Sequence, residues 1–128
     1  MSTMPMHDPL INKVLRWLRE DVALRQADLR TWAGKFMADP ADRLQWSLEE
    51  FANAARVQIF GAAIDALLGG RSIPDLIAFA KDQAMHATLY PSRSTSPTHN
   101  LMEQERAAAW ARLAAELGCL LADHKEGA

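Results

Sequence analysis

A chain of 128 residues, 49% hydrophobic and 23% charged, is long enough to close one core and too apolar to remain disordered. A formal net charge of −2 excludes a strongly basic nucleic-acid packager, and the single cysteine, Cys119, excludes an internal disulfide or a cysteine-rich zinc site. The opening residues lack the basic segment and apolar run of a secretory signal, so a reducing, cytoplasmic setting is expected. Ten arginines against four lysines, with abundant alanine, suit a GC-rich bacterial or phage genome.

Asp8-Pro9 is the first helix start: aspartate accepts from first-turn amides, and proline there loses no donor the helix needs. Apolar positions then recur in steps of four and three through Ile11, Leu15, Leu18 and Val22, pass Arg25, and resume at Leu29, Trp32 and Phe36. This seam predicts one long helix over about residues 9–38. At about 1.5 Å per residue it reaches roughly 45 Å, whereas a compact globule of this size is only about 35 Å across. Either the helix bends near Arg25, or the molecule is elongated and its long helix favours a homodimer. In the first case Arg25 points to water; in the second it fixes register within the seam.

Asp39-Pro40 repeats the start signal, and "WSLEEF" supplies another, with Ser47, Glu50, Trp46 and Phe51 spaced as a capping box and staple. A helical turn around 40–46 is expected to run into a main helix ending at Gly69-Gly70. Its second half is apolar nearly all round, which places it centrally; the stretch from Val57 to Gly70 is too short to span a membrane. Ser72 caps a third helix, with Pro74 and Asp75 in its first turn and Leu76, Ile77, Phe79, Ala80, Ala84 and Leu89 on the buried stripe. A Ser/Thr/Pro-rich loop spans 90–100. Asn100 and Glu103 then open a last helix running to about Asp123 through Trp110, Leu113, Ala114, Leu117, Leu120 and Leu121. Residues 1–7 and 124–128 are expected to be tails. No stretch alternates with the period of a strand. The expectation is an all-α, single-domain bundle of four main helices.

No nucleophile elbow, phosphate loop or dinucleotide fingerprint is present, and the glycines of "LLGGRS" read as a helix terminator. His7, His86, His99 and His124 show no metal-ligand spacing, so no cofactor is expected. Asp65, in the most apolar helix, is the best candidate for a buried carboxyl, while Cys119 reads as a buried, inert thiol. Outward-facing patches rather than a reactive pocket are therefore expected to carry the function, through contact with another protein as regulator, adaptor or inhibitor. The first candidates are Lys13, Arg16, Trp17 and Arg19 on the first helix, where basic residues flank a boundary tryptophan. Tyr90 and Arg93 of the loop come next. Two rivals stand beside this reading. One is a dimeric DNA-binding regulator; the other is a ligand- or metal-binding bundle using Asp65, His86 or His99.

Overall fold

The seam predicted over 9–38 forms a single helix, α1 (Pro9–Ala38), in the computed structural model, which describes residues 9–38, 43–89 and 96–127. Proline occupies the first helical position, as its fixed φ and missing donor favour. Leu10, Val14, Leu15 and Leu18 are buried, and Asn12, Lys13, Arg16, Arg19 and Glu20 are exposed on the opposite side. Arg25 does not point to water: it is half-buried against the next helix.

The second helix, α2 (Arg43–Leu68), is continuous through Ser47, so the start signal in "WSLEEF" falls inside it; Asp39-Pro40 lies outside the described residues. Its end is a Schellman motif. The Arg71 amide donates to the Ala66 carbonyl at 3.0 Å and the Gly70 amide to the Leu67 carbonyl at 3.1 Å. The motif requires a left-handed residue, and Gly70 supplies it at φ 99° without a Cβ clash. Ser72 then caps α3 (Ile73–Leu89): its Oγ accepts from the Asp75 amide at 3.2 Å, and Asp75 lies near the positive helix end.

The last helix, α4 (Pro97–Gly127), departs from expectation at both ends. It starts three residues before Asn100, because Ser96-Pro97 is itself a cap-and-proline start. The Ser96 Oγ accepts from the His99 amide at 3.3 Å, and its carbonyl takes the first helical bond, from the Asn100 amide, at 3.2 Å. The expected 90–100 loop is thus shortened by residues 97–100, while 90–95 lie outside the described residues. At the other end, residues expected as a tail from His124 are helical to Gly127; the expected tail at 1–7 lies outside the described residues.

The helices pack as two antiparallel hairpins, α1–α2 and α3–α4, joined mainly through α2 against α4. Pairings along α1–α2 run in opposite directions, Trp17 meeting Phe60 while Asp21 meets Arg56 and Arg25 meets Asn53. One core fills the centre. Val14, Leu18, Phe60, Leu67, Leu76, Leu113 and Leu117 are fully enclosed, each contributing roughly 1.5–3 kcal/mol of transfer free energy. Helix α2 is central, as its composition implies, and 19 of its residues, Glu50–Leu68, are long and apolar enough to cross a membrane by length and composition alone. That is longer than the Val57–Gly70 stretch weighed from sequence. Ala55, Ile59, Phe60, Ala63 and Leu67 in this span are buried in the bundle core, but Ala62, Asp65 and Leu68 remain exposed.

Helix α3 rests almost wholly on α4. Ile73, Leu76 and Ala80 are buried, whereas Phe79 and Leu89, expected on the inner stripe, are exposed together with Met85. Phe79 is nonetheless sandwiched: Trp110 meets it edge-on at 5.3 Å between ring centroids, and the Arg71 guanidinium lies 5.0 Å over its ring.

Candidate functional site

The basic side of α1 is split by helix geometry. Arg16 and Arg19 lie about 60° apart around the axis, whereas Trp17 lies about 160° from Arg19. Trp17 accordingly turns toward α2 and packs on Phe60, with centroids 5.3 Å apart and planes inclined by 49°. Lys13 is exposed on the flank between them. Arg16 and Arg19 instead join Asn12, Leu15 and Leu68 around a groove of about 350 Å³ between α1 and the end of α2. Leu68 is 47% exposed, so the groove has an apolar floor and a cationic rim. Neither guanidinium has an ion-pair partner among the described residues. Tyr90 and Arg93 lie outside the described residues.

Deeper in the α1–α2 hairpin, two arginines share one carboxylate. Arg56 Nη1 donates to Asp21 Oδ1 at 3.5 Å, and Arg25 Nε stands 3.8 Å from the same oxygen. Arg25 Nη1 also donates to Oδ1 of Asn53, a buried polar residue of α2, at 3.4 Å. Burial, and next the repulsion of Arg25, lower the Arg56 pKa despite the opposing attraction of Asp21. The Arg56 guanidinium also lies 5.2 Å over the Phe60 ring. This is a structural linkage between helices; it contains no arrangement for proton transfer or nucleophilic attack.

The third feature is a cleft of about 520 Å³ between the last turns of α3 and the first turns of α4. Gln83 and His86 face His99, Asn100 and Glu103 across it, with Ala107 and Trp110 behind. The packing of α3 on α4 thus brings His86 and His99, polar groups of the ligand-binding alternative, to one cavity, whereas the leading expectation was of patches without a pocket. Arg106 is fixed there from two directions: Nη1 donates to Glu103 Oε1 at 2.6 Å, and Nε donates to Gln58 Oε1 of α2 at 2.9 Å. Sequence spacing gives one signal for the cleft. His99, Glu103 and Arg106 follow at four and three residues, which puts them on one face of α4.

Other sequence candidates lie apart from both cavities. Asp65 is exposed rather than buried in the apolar helix. Cys119 is exposed on α4, a correction to the buried thiol expected from its apolar neighbours: a helix with one buried stripe carries the intervening positions outward. His124 is exposed near the far end of α4, and His7 lies outside the described residues. No group of three His, Cys, Asp or Glu residues among the described residues is placed to hold a metal ion. Comparison with known proteins gives no further guide, since no family model, curated protein or solved structure matches the chain.

Proposed function

We propose that the protein acts by contact with another protein, as a regulator, adaptor or inhibitor, and that the groove between α1 and the end of α2 receives an acidic segment of the partner carrying one apolar anchor. The observation that carries this reading is the pairing of an exposed leucine floor with two arginines that no carboxylate among the described residues neutralises. Arginine supports such contacts well, because its guanidinium forks onto a carboxylate and its stem covers apolar surface. Leu68 and Leu15 favour a polypeptide over a phosphate backbone, which presents no apolar side chain to fill the groove. A volume of about 350 Å³ suits one or two side chains rather than a whole helix.

The test is affinity capture on immobilised full chain followed by competition with a synthetic peptide of the captured partner's acidic segment. Binding is expected to weaken at least tenfold for Arg16→Glu/Arg19→Glu and for Leu68→Asp, and to fall with added salt. A partner held equally by wild type and both variants, with no response to salt, would remove this groove from the reading.

A further inference from the structure

We infer that the α3–α4 cleft binds a small, uncharged molecule built on a flat heteroaromatic ring, of the nucleobase or nucleoside class. This site shares no lining residue with the groove on α1 and α2, so it stands or falls independently of that contact surface. Its volume of about 520 Å³ lies within the roughly 300–1,000 Å³ of small-ligand pockets.

The charges of the cleft select the class. Glu103 and Arg106 neutralise each other at 2.6 Å, so neither a bare cation nor a bare anion finds an unopposed counter-charge between them. Both groups retain directional capacity. The two bonds from Arg106 use its Nε–H and one Nη1–H, which leaves about three of the five guanidinium donors for a ligand. Glu103 engages through Oε1 alone, and Oε2 stays as an acceptor. Gln83 on one wall and Gln104 on the other each offer a carbonyl and an amide group. A ligand that matches this set carries donors and acceptors side by side on one rigid edge, as a nucleobase does.

The back of the cleft supplies the complementary surface. Trp110 lines it while Phe79 braces the indole edge-on from α3, and Arg71 covers Phe79 in turn. A braced indole loses little freedom when a flat ring stacks on it, and an aromatic platform beside amide groups is how single bases are gripped. Because Gln58 of α2 anchors Arg106, the donors are held across the junction of the two hairpins before any ligand arrives.

The experiment is titration of the full chain with adenosine, uridine, adenosine monophosphate and D-ribose, followed by calorimetry and by amide chemical shifts. One nucleoside is expected to saturate a single site, the monophosphate to bind within about tenfold of it, and ribose not to bind. Gln104→Ala, at an exposed position, should weaken binding with an unchanged melting temperature. Trp110→Leu should weaken it at least tenfold, as loss of a stacking platform does, and Trp110→Phe should restore part of that loss. The inference is overturned if neither nucleoside binds at millimolar concentration, or if ribose binds as well as the nucleosides. It is also overturned if the monophosphate binds far more than tenfold tighter, or if Gln104→Ala and Trp110→Leu both bind as wild type does.

Discussion

Removing the charge of Asp21 probes whether the α1–α2 linkage is held by ionic pairing or only tolerated by packing. Asp21→Asn keeps the shape and one acceptor oxygen but leaves Arg25 and Arg56 facing each other without a carboxylate. At an effective dielectric of about 20, a contact pair near 4 Å is worth about 4 kcal/mol before desolvation. Drawing the charges from water consumes most of that. The Asp21, Arg56 and Arg25 side chains are 14%, 17% and 29% exposed, and the contacts are 3.5 and 3.8 Å, so each pair contributes only about 0.5–1 kcal/mol net. Asp21→Asn is therefore expected to destabilise the fold by about 1–2 kcal/mol, read as a lower midpoint in urea with an unchanged slope. Arg56 supplies the control. Its guanidinium holds a proton less tightly in the fold than in the unfolded chain. Below both values that difference is a full cost to the fold, relieved only as pH rises past the lowered one. Arg56→Met replaces the guanidinium beside Phe60 by an uncharged apolar chain, so Asp21→Asn/Arg56→Met should recover much of the loss. Equal midpoints for wild type and Asp21→Asn, or simple additivity in the double variant, would refute the ionic account.

Four further outcomes follow from local geometry. Gly70→Ala should cost about 1–2 kcal/mol, since alanine must hold the left-handed φ of the Schellman turn; an unchanged thermal midpoint would show that the turn re-forms another way. Ser72→Ala and Ser96→Ala should each cost about 1 kcal/mol, and hydrogen exchange should rise first at the Asp75 and His99 amides respectively. Leu113→Ala should cost about 2–5 kcal/mol, because the enclosed site leaves a cavity; a loss below 1 kcal/mol would mean that α4 collapses onto it. Cys119 should react with a thiol reagent in the native protein at a rate close to that in urea, and strong native protection would contradict its exposure.

Local chemistry made the helices legible. The four-and-three spacing through Ile11, Leu15, Leu18 and Val22 specifies a helix whatever it packs on, and the bounds 9–38 are readable from the start and stop signals Asp8-Pro9 and Asp39-Pro40 in the sequence. Gly70 and Ser72 likewise act within a few residues, so the α2–α3 junction was readable to the residue. The miss at α4 was also local. Ser96-Pro97 carries the same cap-and-proline logic as Asp8-Pro9, but it was absorbed into a run of hydroxyl residues that reads as loop.

Amphipathic period sets that a helix has an inner side; it does not set how much of that side a neighbour covers. Because α3 rests almost wholly on α4, Leu89 and Met85 are left exposed, and an apolar run alone could not place Cys119 outside. The same holds for every pairing across the chain. Arg25 finds Asn53 across a sequence separation of 28, Arg106 finds Gln58 across 48, and His86 comes to share a cavity with His99 only because the α3–α4 hairpin closes antiparallel. The residues by themselves therefore determined four helices and the caps at Gly70, Ser72 and Ser96, through interactions spanning at most a few turns. Only tertiary packing decided which arginines line the groove without an ion pair among the described residues and which were tied into the cleft, because those partners are chosen by how the helices meet.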